Sequence, residues 1–213
     1  TLEAQHAQVP NMLTSKFIGY FLEDIYTWPK PLCLVEPIIT LWLHVQRTWS
    51  HLESIFVGSE DIRLQLPTDS KRFDDTNSMF KVLLKEMASV PNVIEASSRE
   101  GLGEELEKIQ SNLSLCEKAL AEYLEAKRLA FPRFYFSSSA DLLDILSNGN
   151  QPLLVARHLT KLFDAMAKIT MQIEDGLTTN IALKMTAKDG EEVEFSEPCV
   201  CEGQAEKRLD KLM

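Results

Sequence analysis

The chain has 213 residues, which at roughly 100–200 residues per domain makes one large domain or two small ones with ample length to bury a core. Apolar residues make up 45% and charged residues 25%, which excludes a wholly disordered chain. The 22 Lys and Arg against 32 Asp and Glu give a net charge of −10, which argues against a general binder of nucleic acid or anionic membrane.

Eight glycines, about 4% against the usual ~7%, lean the chain towards helix. No run approaches the ~20 apolar residues of a membrane span, and Thr1 to Gln5 has neither the charge nor the apolar stretch of a signal peptide, so the chain reads as cytosolic. The start without Met and the periodic stretch cut off at Met213 read as an excised segment of a longer protein.

Met12, Phe17, Tyr20, Phe21 and Ile25 recur near helical spacing and predict a first helix over residues 11–27, broken by Pro29 and Pro31. Pro37 suits a first helical position, and Ile38, Leu41, Trp42, Val45, Trp49, Leu52 and Phe56 follow at steps of three and four up to a stop at Gly58. This second helix should carry much of the core, Trp42 and Trp49 included. Ser59 caps a short helix ending near Gln65 and Pro67, and Asp74 or Asp75 caps another carrying Met79, Phe80, Leu83, Leu84 and Met87 up to Pro91. Residues 92–103 read as a loop.

The longest periodic stretch covers residues 104–129, with Leu106, Ile109, Leu113, Cys116, Leu120 and Tyr123 on one stripe, a rod of roughly 40 Å at ~1.5 Å per residue. Fewer than four heptads and a cysteine in the stripe favour an intramolecular bundle over a coiled coil between chains. Phe131 and Pro132 end it. Ser138 and Asp141 open a capped helix carrying Leu142, Leu143, Ile145 and Leu146, closed by Asn148 and Gly149. Pro152 starts another helix, with Val155, Leu159, Leu162, Phe163, Met166 and Ile169 on one face.

After Gly176 the period changes to two, around Asp189-Gly190. A two-residue turn there would put Val193 and Phe195 on the opposite face from Leu183 and Met185. A three-residue loop of Lys188, Asp189 and left-handed Gly190 pairs Met185 with Val193 and Leu183 with Phe195, all on one face, and is the predicted form, with a G1-type bulge. An isolated hairpin is marginal in water, so this one should lie on the helices through that face. The expected fold is therefore mainly α: elongated stacked helical bundles with one small β-hairpin near the C-terminus. Its sub-bundles are 1–100 and 101–175, its hairpin 176–200, and a truncated helix starts at 204–213.

Chemistry-bearing motifs are sparse. No G-x-x-x-x-G-K-[ST] run cradles phosphates, and Gly101 and Gly103 feed a helix and lack the third glycine of a dinucleotide site. His44 and His51 lie two turns apart on one helix, too far to share a metal ion, and His6 and His158 stand alone. Cys33, Cys116, Cys199 and Cys201 show no paired metal spacing and read as reduced structural thiols. Neither catalytic residues nor cofactor or metal ligands are assigned. The densest feature is 127–136, where Lys127, Arg128 and Arg133 interleave with Phe131, Phe134, Tyr135 and Phe136. It reads as a helix end whose cations favour the C-terminal dipole, followed by an extended segment driving its aromatics into the core. An interaction surface through Lys127, Arg128, Arg133 and Tyr135 is the other reading, and an acidic chain weighs against nucleic acid. Arg133 should donate to carboxylates or backbone carbonyls.

These segments carry a resemblance. Ile55-Phe56-Val57-Gly58-Ser59-Glu60-Asp61-Ile62-Arg63, Gln65-Leu66-Pro67, Leu115-Cys116-Glu117-Lys118-Ala119-Leu120, Tyr123-Leu124-Glu125 and Lys127-Arg128 resemble the linker of dynein heavy chains. So does Phe131-Pro132-Arg133-Phe134-Tyr135-Phe136 followed by Asp141-Leu142-Leu143-Asp144-Ile145-Leu146-Ser147-Asn148-Gly149, in unbroken order along the chain, with wording most similar to axonemal outer-arm beta chains. Ser137 and Arg208 depart from the family's apolar residue and Trp at those positions. The resemblance implies a lever that bends and docks on the AAA+ ring of the same heavy chain. ATP and Mg are bound elsewhere in that motor, and other dynein subunits and microtubules are met only through the whole motor. It also implies a place in the cytoplasm, cytoskeleton and ciliary axoneme. Bending is expected where helices stop, at Pro29, Pro31, Pro67, Gly101 and Pro132, within the stretches 28–31, 67–75, 92–103 and 131–138.

Overall fold

Proline placement sets the helix starts. The computed structural model describes residues 2–148, 152–174 and 177–201, together with Ala205, Lys207 and Leu209. Its elements are α1 (Leu2–Leu13), α2 (Leu22–Thr27), α3 (Pro29–Phe56), α4 (Glu60–Gln65), α5 (Pro67–Ala88), α6 (Val93–Ser97), α7 (Leu102–Ala130), α8 (Ser139–Ser147), α9 (Pro152–Ala156), α10 (Leu159–Leu162), β1 (Met166–Glu174), β2 (Leu177–Ala187) and β3 (Glu192–Val200), with 3-10 turns at Ile18–Tyr20 and Pro132–Phe136. The fold is mainly helical with a small antiparallel sheet near the C-terminus, as expected. Contacts group Thr1–Ser54 with Thr68–Glu117 in one unit, and Ile55–Pro67 with Lys118–Met213 in another. These units are discontinuous in sequence, unlike the contiguous bundles 1–100 and 101–175 read from it.

In the first unit, the single helix expected over 11–27 is instead α1, a 3-10 turn and α2. Thr14 Oγ1 donates to the Asn11 carbonyl and Ser15 Oγ accepts from the Phe17 N–H, local bonds that compete with helix continuation. Met12, Phe17, Tyr20 and Phe21 remain exposed, so the periodic face has no buried partner in the described structure to enforce a helix.

The next helix starts at Pro29, eight residues before the expected Pro37. Pro29 takes the first position and Pro31 falls in the first turn, where a missing N–H costs nothing. Pro37 is interior; buried Leu32 and Val35 before it anchor the added turns. Val45 and Leu52 are buried, while Trp42 and Trp49 are half-buried against Phe80 of α5, with ring centroids at 5.6 and 5.1 Å.

α5 likewise opens on its proline rather than at Asp74 or Asp75, because Ser70, Phe73 and Thr76 extend the buried stripe of Phe80 and Leu83 backwards. Residues 68–75 are thus helix, where a hinge was expected. The expected loop 92–103 contains α6, capped by Asn92 Oδ1 accepting from the Ile94 and Glu95 N–H groups. Gly101 (φ +79°) then turns the chain into α7. A Cβ on Gly103 would lie 3.3 Å from Ile38 Cδ1, so glycine lets this turn of α7 sit close to α3. The α7 stripe is buried as its periodicity demands, through Leu106, Ile109, Leu113, Cys116, Leu120 and Leu124.

The second unit has its core around Phe131, Phe134, Leu142, Ile145, Leu159 and Met166. Ser59 caps α4 by accepting from the Ile62 N–H, and Ser138 caps α8 by accepting from the Asp141 N–H while donating to its carboxylate. The helix expected from Pro152 through Ile169 stops early. α9 and α10 are short, and Met166–Glu174 is a strand paired antiparallel with β2, Ile169 opposite Met185. Ile169, Met171 and Ile173 carry a two-residue period that pairing with β2 selects over the helical one. The expected hairpin is therefore part of a three-stranded sheet in the order β1-β2-β3.

The turn itself has the expected form. Gly190 (φ +92°) donates to the Ala187 carbonyl, Ala187 donates to Glu191 O, and Met185 pairs with Val193. Beyond it the register shifts between Ala182 and Lys184, so Leu183 and Phe195 are not a recorded pair, and Ala182 meets Cys199. Met185 and Phe195 pack on the core, while Leu183 and Val193 stay exposed. The expected closing helix at 204–213, with Arg208, lies outside the described residues apart from Ala205, Lys207 and Leu209, as do Gly149 and Gly176.

Candidate functional site

The basic and aromatic run 127–136 folds back on itself. α7 ends at Ala130, and Pro132 opens a 3-10 turn in place of the expected extended segment. Three residues per turn put Phe131 and Phe134 on the same side, both buried, with centroids 5.0 Å apart and planes at 70°. The same geometry throws Phe136 outward: it is 73% exposed, a correction to its expected place in the core. Tyr135 and Leu129 are exposed beside it in sequence.

Each cation in the run is already engaged within the unit. Lys127 Nζ sits 5.4 Å from the Tyr123 ring centroid. Arg128 donates from Nη2 to Ser139 Oγ at 2.9 Å, lies 3.7 Å from Glu125 and covers the Tyr135 ring at 6.0 Å. Arg133 donates to the Leu162 carbonyl at 3.2 Å and stacks over Phe163 at 4.7 Å, so its partner is a backbone carbonyl, as expected. The Tyr135 hydroxyl donates to Glu125, which holds its proton and raises its pKa above the usual tyrosine range. Arg133, Phe163, Met185, Thr186 and Val193 line a cavity of about 300 Å³, in whose wall the Thr186 hydroxyl is buried without a hydrogen-bond partner among the described residues.

Two charged clusters were not legible in the sequence. His158 lies between two carboxylates of α8, with Nε2 2.6 Å from Asp144 and Nδ1 3.4 Å from Asp141. Asp141 also accepts from Lys161 at 2.7 Å, and this bond, with that of Ser138, holds its pKa down at about 2. Arg99 bridges Glu86 of α5 and Glu105 of α7. In sequence Asp141 reads as a cap and His158 as solitary, because their neighbours come from other elements.

The remaining candidate positions stand at or near the starts of elements or on their surfaces and interiors. Pro29, Pro67 and Pro132 each take the first position of an element, Pro31 the first turn of α3, and Gly101 the residue before α7. His44 and His51 are exposed on α3. Cys33 is exposed and Cys116, Cys199 and Cys201 are buried, none of the four in a disulfide. Burial pushes the Cys116 thiol up to about 11, which keeps it protonated and unreactive at neutral pH. Among the described residues no group of three His, Cys, Asp or Glu could hold a metal ion, and no helix is long and apolar enough to cross a membrane.

Comparison with known proteins gives a consistent match. The family described as dynein heavy chain, N-terminal region 2, covers residues 1–213. The ciliary dynein beta chain of Tripneustes gratilla is 58% identical over 214 residues, covering 100% of this chain and 5% of the relative. Dynein axonemal heavy chain 9 of Homo sapiens is 54% identical over 213 residues, and the flagellar outer-arm dynein beta chain of Chlamydomonas reinhardtii 47% over 216, with the same coverage. The chain thus spans about 5% of the length of these relatives.

Proposed function

The chain belongs to the dynein heavy chain, N-terminal region 2 family, and from that premise we propose that it is a non-catalytic mechanical linker segment of an axonemal dynein motor. In this reading it docks on the AAA+ ring of the same heavy chain and passes on force generated where ATP and Mg are bound, for microtubule-based movement in the cilium. The observation that carries the reading is α7. It is 29 residues long, roughly 40 Å at ~1.5 Å per residue, with one face buried from Leu106 to Leu124. A helix packed along such a stripe resists bending, because close-packed side chains have few alternative arrangements. Bending then concentrates at element junctions, Gly101 before α7 and the 131–138 connection after it among them.

One observation favours a second reading, a scaffold module that recruits a separate protein: Leu129 and Phe136 are large apolar side chains left exposed beside the cations of α7. The two readings part in the full-length motor. Ser114→Gly with Leu115→Gly softens α7 at two exposed positions by about 0.5–1 kcal/mol each. A lever so softened loses microtubule gliding velocity while basal ATPase and bound partners persist. Leu129→Ser with Phe136→Ser tests the scaffold: a lost partner with normal gliding supports it and sinks the lever as this segment's main role.

A further inference from the structure

We infer that Ser139 is a phosphate-acceptor site whose modification fastens the end of α7 to the start of α8 through Arg128. Residues 137–139 are three consecutive serines, and the fold gives each a different task. Ser137 is buried and its hydroxyl donates to the Phe134 carbonyl at 2.8 Å. Ser138 is the cap of α8, bonded to Asp141 at both its backbone N–H and its carboxylate, so a phosphate there would lose the hydroxyl proton donated to that carboxylate and set two negative groups together. Ser139 alone of the three is an exposed hydroxyl with no role in closing the fold. Its recorded hydrogen-bond partner is the Nη2 of Arg128 at 2.9 Å.

Arg128 is suited to a doubly charged partner. Its side chain is 19% exposed, with Cζ 6.0 Å from the Tyr135 ring centroid, and therefore partly desolvated. The nearest carboxylate, Glu125, stands 3.7 Å away and is shared with the Tyr135 hydroxyl. A guanidinium fork thus spends a short hydrogen bond on a neutral hydroxyl. A phosphoserine brings about −1.5 to −2 charges and three acceptor oxygens to the same place, and charge-assisted bonds of this kind are roughly twice as strong as neutral ones. Asp141, two residues on, would repel the phosphate, but its carboxylate is bonded to Lys161 and Ser138.

The chemistry is ordinary phosphoryl transfer from a nucleoside triphosphate held by a separate protein kinase. Ser139 Oγ bonds to the γ-phosphorus, the bond from that phosphorus to the diphosphate breaks, and the hydroxyl proton passes to the kinase's base. The product ties α7 to α8 across residues 131–138. That this also stiffens the force-bearing path rests on the lever reading above.

The test uses the full-length heavy chain in purified motor, treated with ATP and a serine kinase of broad sequence tolerance. Phosphate is located by mass spectrometry and followed by hydrogen exchange over 131–138. The expected result is phosphate on Ser139 and exchange slowed about tenfold, absent in Ser139→Ala and lost in Arg128→Gln. Should Arg128→Gln fail to fold, Arg128→Lys replaces it, since a single ammonium must protect less than the fork. Phosphate placed on Ser138, no phosphate on the tripeptide, unchanged exchange, or equal slowing without the guanidinium each overturns the proposal. Slowed exchange with unaltered microtubule gliding leaves the site standing and removes only its mechanical consequence.

Discussion

Phe80 is the position at which the packing of α3 on α5 is most exposed to test. Its ring is fully buried between Trp42 and Trp49, at centroid distances of 5.6 and 5.1 Å and tilts of 46° and 54°. Asn77 Oδ1 accepts from Trp49 Nε1 at 3.0 Å, and Lys81 both pairs with Glu53 and sits over the Trp49 ring, so the indole is held from three sides and cannot swing in to fill a void. Phe80→Ala therefore leaves its cavity largely open, and the loss falls within the ~3–5 kcal/mol of Phe-to-Ala changes, towards the upper end. Urea unfolding followed by tryptophan fluorescence reads it directly, since two of the indoles border the site. At a slope of about 2–3 kcal/mol per molar, the midpoint should fall by roughly 1–2 M. Val82, on the exposed face of the same helix, supplies the control, and Val82→Ala should shift stability by less than about 0.5 kcal/mol. A Phe80→Ala loss under about 1 kcal/mol, or an equal loss in both variants, would refute the assignment of the buried face.

The 3-10 turn makes a contrast between neighbours: Phe134→Ala should cost ~3–5 kcal/mol and Phe136→Ser less than about 0.5, by denaturant midpoint, and a reversed order would mean that the turn is misplaced. Asp141, with a pKa lowered from 3.8 to about 2 by Lys161 and then Ser138, stabilises the fold fully above the unfolded value and loses that contribution as pH falls from about 4 towards 2. Carbon NMR titration should place its midpoint near 2 and move it up in Lys161→Gln; a wild-type midpoint near 3.8 would disprove the pairing. Iodoacetamide at neutral pH should modify Cys33 and spare Cys116, whose buried thiol titrates only at about 11, and equal labelling rates would show that α7 does not bury it. Gly190→Ala, forced to hold φ +92°, should lose about 1–2 kcal/mol in thermal unfolding, while Gly190→Asn loses less.

Where one face of an element is long and regular, the chain alone determined the outcome. The α7 stripe from Leu106 to Leu120, the Ser59 and Ser138 caps and the three-residue loop ending at Gly190 all follow from local rules: side-chain period, a hydroxyl placed for an N–H, and one residue able to hold a positive φ. The family resemblance was legible for the same reason, since contiguous motifs survive without any knowledge of contacts. Partners distant in sequence decided the rest. Residues 166–169 fit a helix until β2 offers its edge, whose hydrogen bonds outweigh a weak local preference. Phe131, Phe134 and Phe136 are alike as letters, and only the pitch of the turn after Pro132 assigns two to the core and one to the surface. Pro31 reads as a breaker and Pro37 as a helix start, yet Leu32 and Val35 are buried deeply enough to extend α3 through both. Arg128 beside Ser139 and His158 between Asp141 and Asp144 exist only once helices distant in sequence are brought within a few ångströms, because a hydrogen bond is set by separation in space and not along the chain.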